Sequence, residues 1–98
     1  MENAMNNATL KSIIQNALAG TVREDARIDY TQHGNGYCVC IRVPHDIERA
    51  MKVNGVPTIK KSVGYSLPAT FMAWGIQSEQ SIRHTAAEFL HHNQHLVV

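Results

Sequence analysis

RIDYTQHGNGYCVCIRVP, residues 27–44, decides the fold. Asn35-Gly36 lies between two alternating segments, and this dipeptide favours a two-residue type I′ turn because both central positions need positive φ. Centring the turn there pairs Tyr30 with Ile41, Ile28 with Val43 and Gly34 with Tyr37 on one face. The other face then pairs His33 with Cys38, Thr31 with Cys40 and Asp29 with Arg42. One register sorts the apolar residues to one side and sets opposite charges across the other, an agreement that a wrong register would destroy. An antiparallel β-hairpin with one buried face is expected.

Upstream, Leu10, Ile13, Ile14, Ala17 and Leu18 fall at i, i+3, i+4, i+7 and i+8 and predict an amphipathic helix. Asn6 or Asn7 caps its start, and Gly20 ends it in the left-handed conformation. Downstream, Pro44 ends the second strand. His45 to Asn54 reads as a short helix with Ile47, Ala50 and Met51 inside, Asp46 near its N-terminus and Asn54-Gly55 closing it. In Thr58 to Leu67 the shared parity of Ile59, Val63, Tyr65 and Leu67 suits a third strand, against which Lys61 and Gly64 count. Pro68 to Trp74 reads as a short apolar helix stopped by Gly75. A last helix begins at Ser78 with Ile82, Thr85, Ala86, Phe89 and Leu90 inside. The expected architecture is α+β: an N-terminal helix, an antiparallel hairpin with a possible third strand, and helices packed on one face of the sheet.

A length of 98 residues matches a single domain, 1–98. With 44% hydrophobic and 17% charged residues the chain has the balance of an ordinary globular protein. The stretch MENAMNNATLKSIIQ lacks a basic region followed by an apolar run, so no signal peptide is expected, and no apolar stretch approaches a membrane span. Cys38 and Cys40, one residue apart on a strand, lean the same way and do not suit a disulfide; reduced thiols point to the cytoplasm.

A formal charge of +1 argues against bulk electrostatic binding of nucleic acid. The distribution is uneven, however. Residues 42–61 hold five cations (Arg42, Arg49, Lys52, Lys60, Lys61) and two acids (Asp46, Glu48), a local +3, and form the candidate nucleic-acid surface if helix and strand lie side by side there. The helix-β-β order resembles that of double-stranded-RNA-binding domains. The basic motif expected at the start of their last helix is absent, since Ser78 to Arg83 carries one acid and one base, and no family is assigned.

A second candidate is HTAAEFLHHNQH, residues 84–95. If the helix runs to 95, His84, Glu88, His91 and His95 form one stripe, and His91 and His95 have a spacing able to chelate zinc, with Cys38 and Cys40 as the other half of a Cys2His2 site. Against it, C-x-C is tighter than the usual zinc spacing, and about fifty residues separate the halves. His33 opposite Cys38 is the one nucleophile–base pair, at a hairpin tip where nothing excludes water. Glu24-Asp25 lie adjacent in a loop, and no glycine-rich phosphate loop occurs. No catalytic residue and no cofactor is expected.

Tyr65, Phe71, Met72 and Trp74 complete the candidates. Most of them belong in the core, but any that remain exposed are of the types enriched where partners dock. Three functions are therefore ranked. A small non-enzymatic protein-binding module comes first, of the accessory or inhibitor kind that phages and mobile elements encode, including inhibitors of host defence of the anti-CRISPR type; a homodimer is compatible with it. A nucleic-acid-binding module comes second and a metal-binding protein third.

Overall fold

A computed structural model describes residues 5–98 as helix α1 (Asn7–Leu18), strands β1 (Arg27–His33), β2 (Gly36–Arg42), β3 (Pro44–Val53), β4 (Val56–Tyr65) and β5 (Ala69–Trp74), helix α2 (Glu79–His91) and a 3-10 turn at Gln94–Leu96. The fold is α+β. β1, β2 and β5 make an antiparallel sheet in the order β1-β2-β5, while β3 and β4 pair only with each other.

α1 forms where its apolar spacing predicts. The Asn6 side chain accepts a hydrogen bond from the Thr9 N–H at 2.8 Å, and Leu10, Ile14 and Leu18 are buried. Both helices pack on one face of the three-stranded sheet. Strand alternation presents Tyr37, Val39 and Ile41 of β2 and Phe71 and Ala73 of β5 to them, and with Ile82, Ala86, Leu90 and Leu96 these close the core.

The first hairpin forms, in a shifted register. His33 pairs with Gly36, so Gly34-Asn35 is the turn, and Gly34 alone has positive φ (57°), the pattern of a type II′ turn. Asn35-Gly36 is therefore not a type I′ turn. G-N-G allows either frame locally, and packing decides between them: a Cβ on Gly36 would lie 2.4 Å from Trp74 Cε3, so this glycine serves the strand by admitting the indole. Tyr30 now pairs with Val39 and Ile28 with Ile41. Each partner moves by two positions, and because side chains alternate with period two, every residue keeps its expected face.

Residues 45–54 are not a helix. They form β3, which turns at Asn54-Gly55 (φ 52° and 79°) into β4. Two positive φ values make this the type I′ turn of the molecule. Ile47, Ala50 and Met51 fit a helical spacing, but short apolar runs are ambiguous on period alone, and the Asn54-Gly55 turn folds the segment back as a hairpin. The third strand expected at 58–67 exists as β4, joined to β3 rather than to the first hairpin. Residues 69–74 are likewise a strand. Phe71 and Ala73 point inward and Met72 and Trp74 outward, and the Gly75 N–H donates to Asn35 O at 2.7 Å instead of ending a helix.

α2 stops at His91, short of the expected 95. The Asn93 side-chain amide donates to Phe89 O (2.8 Å) and that of Gln94 to His91 O (3.0 Å), taking up carbonyls that a further turn would have used. The chain then tucks Leu96 fully into the core, and Val97 bridges to Val22.

The described residues span 72 × 24 × 18 Å with a radius of gyration of 18.3 Å, against about 13 Å for a compact domain of this length. The excess is the β3–β4 ribbon, an arm of about 33 Å that leaves the body between β2 and β5.

Candidate partner-binding surface

The arm is anchored at one point and bare beyond it. At its base the Val43 N–H donates to Ser66 Oγ (3.1 Å) and the Ser66 N–H donates to Val43 O (2.8 Å), while the Arg27 guanidinium lies 5.3 Å from the Tyr65 ring centroid. Past Tyr65 almost every side chain on both strands is exposed. Val56 is 60% exposed, Ile59 61% and Val63 69%, with Met51 and Val53 also open. A two-stranded ribbon is marginally stable alone in water, and exposed large apolar side chains on both of its faces suit an element on which something docks.

The register divides the arm into two faces. Asp46/Val63, Glu48/Lys61, Ala50/Ile59 and Lys52/Pro57 share one, where two acids and two cations surround Ile59 and Val63. Ile47/Ser62, Arg49/Lys60, Met51/Thr58 and Val53/Val56 share the other, where two cations face each other and no acid is present. Like charges directly opposite oppose pairing. Among the described residues the ion pairs are Arg23–Asp25 and Arg83–Glu79, and His84 Nε2 lies 3.4 Å from Glu88 Oε1; none of these is on the arm.

The basic residues are thus not one patch. Arg42 ends β2 on the uncovered face of the main sheet, Arg49 and Lys60 lie on one face of the arm, and Lys52 and Lys61 lie on the other. At the start of α2, Arg83 is paired to Glu79 at 3.3 Å, so no free cation is offered there.

The four candidate anchors also separate. Phe71 is core, tilted against Phe89 at 4.7 Å between centroids. Met72 and Trp74 lie on the uncovered sheet face, Met72 directly across from Cys38 and Trp74, 40% exposed, across from Gly36. Tyr65 marks the base of the arm.

The metal site loses its geometric basis. With α2 ending at His91, His95 falls in the 3-10 turn and leaves the helical stripe. Cys38 and Cys40, both free thiols, lie on the sheet face that the helices do not cover. No cluster of three or more His, Cys, Asp or Glu able to hold a metal occurs among the described residues. The nucleophile–base pair falls with the register, since Thr31 and not His33 stands opposite Cys38.

Tyr30, half-buried on the inner side of the edge strand with Lys11 Nζ 5.3 Å from its ring centroid, has its pKa raised because burial disfavours the phenolate. No described helix is long and apolar enough to cross a membrane. Comparison with family models, curated proteins and solved structures finds no match to this chain.

The residues that sequence reasoning missed are Met51, Val53, Val56, Ile59 and Val63. Their signal was present: Asn54-Gly55 between two ten-residue segments is a stronger hairpin signature than G-N-G.

Proposed function

We propose that this chain is a non-enzymatic protein-binding module whose docking element is the β3–β4 arm. The observation that carries the reading is the exposure of Val56, Ile59 and Val63 on a ribbon whose strands, among the described residues, pair only with each other. Protein interfaces have an apolar centre inside a polar rim, and the Ile59 face, with Val63 and Pro57 among Asp46, Glu48, Lys52 and Lys61, can supply both. Two reduced thiols on one strand suit a cytoplasmic protein. A small domain with one projecting binding element suits an inhibitor or accessory protein of a phage or mobile element.

The test is capture from native lysate, with protein identified by mass spectrometry and nucleic acid detected in parallel. Ile59→Asp with Val63→Asp is expected to reduce capture of protein about thirtyfold, as the loss of a hot spot of about 2 kcal/mol does. Lys60→Gln with Lys61→Gln is expected to leave capture intact. Recovery of nucleic acid by the native chain, with the log affinity–log salt slope flattened by nearly two in the lysine variant, would replace this reading with the nucleic-acid one.

A further inference from the structure

The type I′ turn fixes which backbone groups of the arm are free. In a two-residue hairpin the residues flanking the turn form a hydrogen-bonded pair, and such pairs alternate along the ladder. Val53/Val56 is therefore hydrogen-bonded, as are Met51/Thr58, Arg49/Lys60 and Ile47/Ser62. On β3 the residues between them, Asp46, Glu48, Ala50 and Lys52, point N–H and C=O away from β4. On β4 the outward set includes Pro57, which has no N–H. The outer edge of β3 thus offers an uninterrupted row of donors and acceptors, while that of β4 is interrupted near the tip.

We propose that this edge pairs with β3 of a second copy of the chain, antiparallel about a two-fold axis at Ala50. This rests on the reading of the arm as a protein-docking element and names its occupant. The sequence Ile47-Glu48-Arg49-Ala50-Met51-Lys52-Val53 is self-complementary about its centre. Run against itself, it sets Ile47 opposite Val53, Glu48 opposite Lys52, Arg49 opposite Met51 and Ala50 opposite Ala50, each of the first three occurring twice, as a closed two-fold interface requires.

Two neighbouring registers are poorer. An axis at Arg49 sets the two arginines against each other with Lys60 beyond each, four cations in one row across the joined sheet. An axis at Glu48 opposes two acids and leaves Lys52 facing Pro44. Centred on Ala50, the outward residues Glu48, Ala50 and Lys52 exchange about six backbone hydrogen bonds with their counterparts. The product is a four-stranded sheet β4-β3-β3-β4, beyond the strand number at which an isolated ribbon stops being marginal. The two arms point in opposite directions, so the bodies stand at opposite ends. An exposed strand edge is an aggregation hazard unless it is blunted or paired, and here pairing closes it.

The experiment is sedimentation equilibrium on the full chain, from low to high micromolar concentration. The native chain is expected to sediment as a dimer. Glu48→Lys alone and Lys52→Glu alone each put like charges across the axis twice and are expected to associate about tenfold more weakly or worse. An equimolar mixture of the two variants restores opposite charges at both positions and is expected to recover the dimer, which also shows that neither variant is misfolded. In a Cys38→Ser, Cys40→Ser background, Ala50→Cys is expected to form an intermolecular disulfide on oxidation, and Arg49→Cys is not. A native chain that is monomeric throughout overturns the proposal, as do single variants that dimerise like the native chain or a mixture that stays monomeric. A monomer that still loses captured protein on Ile59→Asp with Val63→Asp overturns self-pairing alone. A dimer whose captured protein is indifferent to those changes leaves edge pairing standing and overturns the reading of the arm's faces.

Discussion

Ile82→Ala is expected to lower stability by about 3 kcal/mol, while Ile59→Ala, the same substitution on the arm, changes it by less than about 0.5 kcal/mol at concentrations where the chain is monomeric. Ile82 is fully buried in α2, among side chains of α1 and the sheet, and truncation there removes apolar contact and leaves a cavity that the neighbours only partly refill. Ile59 is 61% exposed and has little contact to lose. For a domain of this size the first change is expected to lower Tm by about 12 °C or more, within reach of any thermal melt. Equal losses at the two sites would mean that the arm is packed against something in the isolated chain.

Gly36→Val is the second large effect. The added Cβ would meet Trp74 Cε3 at 2.4 Å and Ala73 O at 2.9 Å, and the ring yields more easily than the backbone carbonyl. A cost of about 2–3 kcal/mol is expected from displaced packing and strained pairing between β2 and β5. Trp74→Ala removes the nearer obstacle, so in a double-mutant cycle the two changes are expected to couple by about 1 kcal/mol or more. A Gly36 needed only for turn geometry would show no coupling to Trp74.

These two positions also show what could be read without coordinates. The buried stripe Leu10, Ile14 and Leu18 was legible because a 3.6-residue period over a long segment has one physical solution, and Ile82, Ala86 and Leu90 were legible for the same reason. The faces of β1 and β2 were legible although their pairing was misread by two positions, because alternation records sidedness and not partner. The frame at G-N-G was not legible. It depends on Trp74, which meets Gly36 only through the pairing of β2 with β5.

Residues 45–54 misled for a different reason. Ile47, Ala50 and Met51 carry a helical spacing by chance, and reading them as a buried stripe assumes that apolar side chains are covered. On this arm they are not: Ala50 and Met51 are exposed, and so are Val56, Ile59 and Val63 opposite. The segment that broke the assumption is the one proposed to bind, as expected where local pattern and covered core disagree. Likewise, His95 joins the stripe of His84 and His91 on paper only. The amides of Asn93 and Gln94 end the helix before the last of them, a side-chain event that periodicity does not register.

The body is expected to fold without the arm, which we propose is carried for binding. Urea unfolding of a chain lacking Asp46 to Val63, with His45 joined to Gly64 through Asn-Gly, tests whether it does. His45 and Gly64 stand opposite each other in the same ladder phase as the residues that flank the existing turn, so a type I′ turn closes them without a register shift. A single cooperative transition is expected, with a near-ultraviolet signal from Tyr37 and Trp74 like that of the full chain and an m value reduced only by the small area that the arm buries. A shortened chain that unfolds without a cooperative transition, or binds a hydrophobic dye in the absence of urea, would contradict it and place the arm within the core.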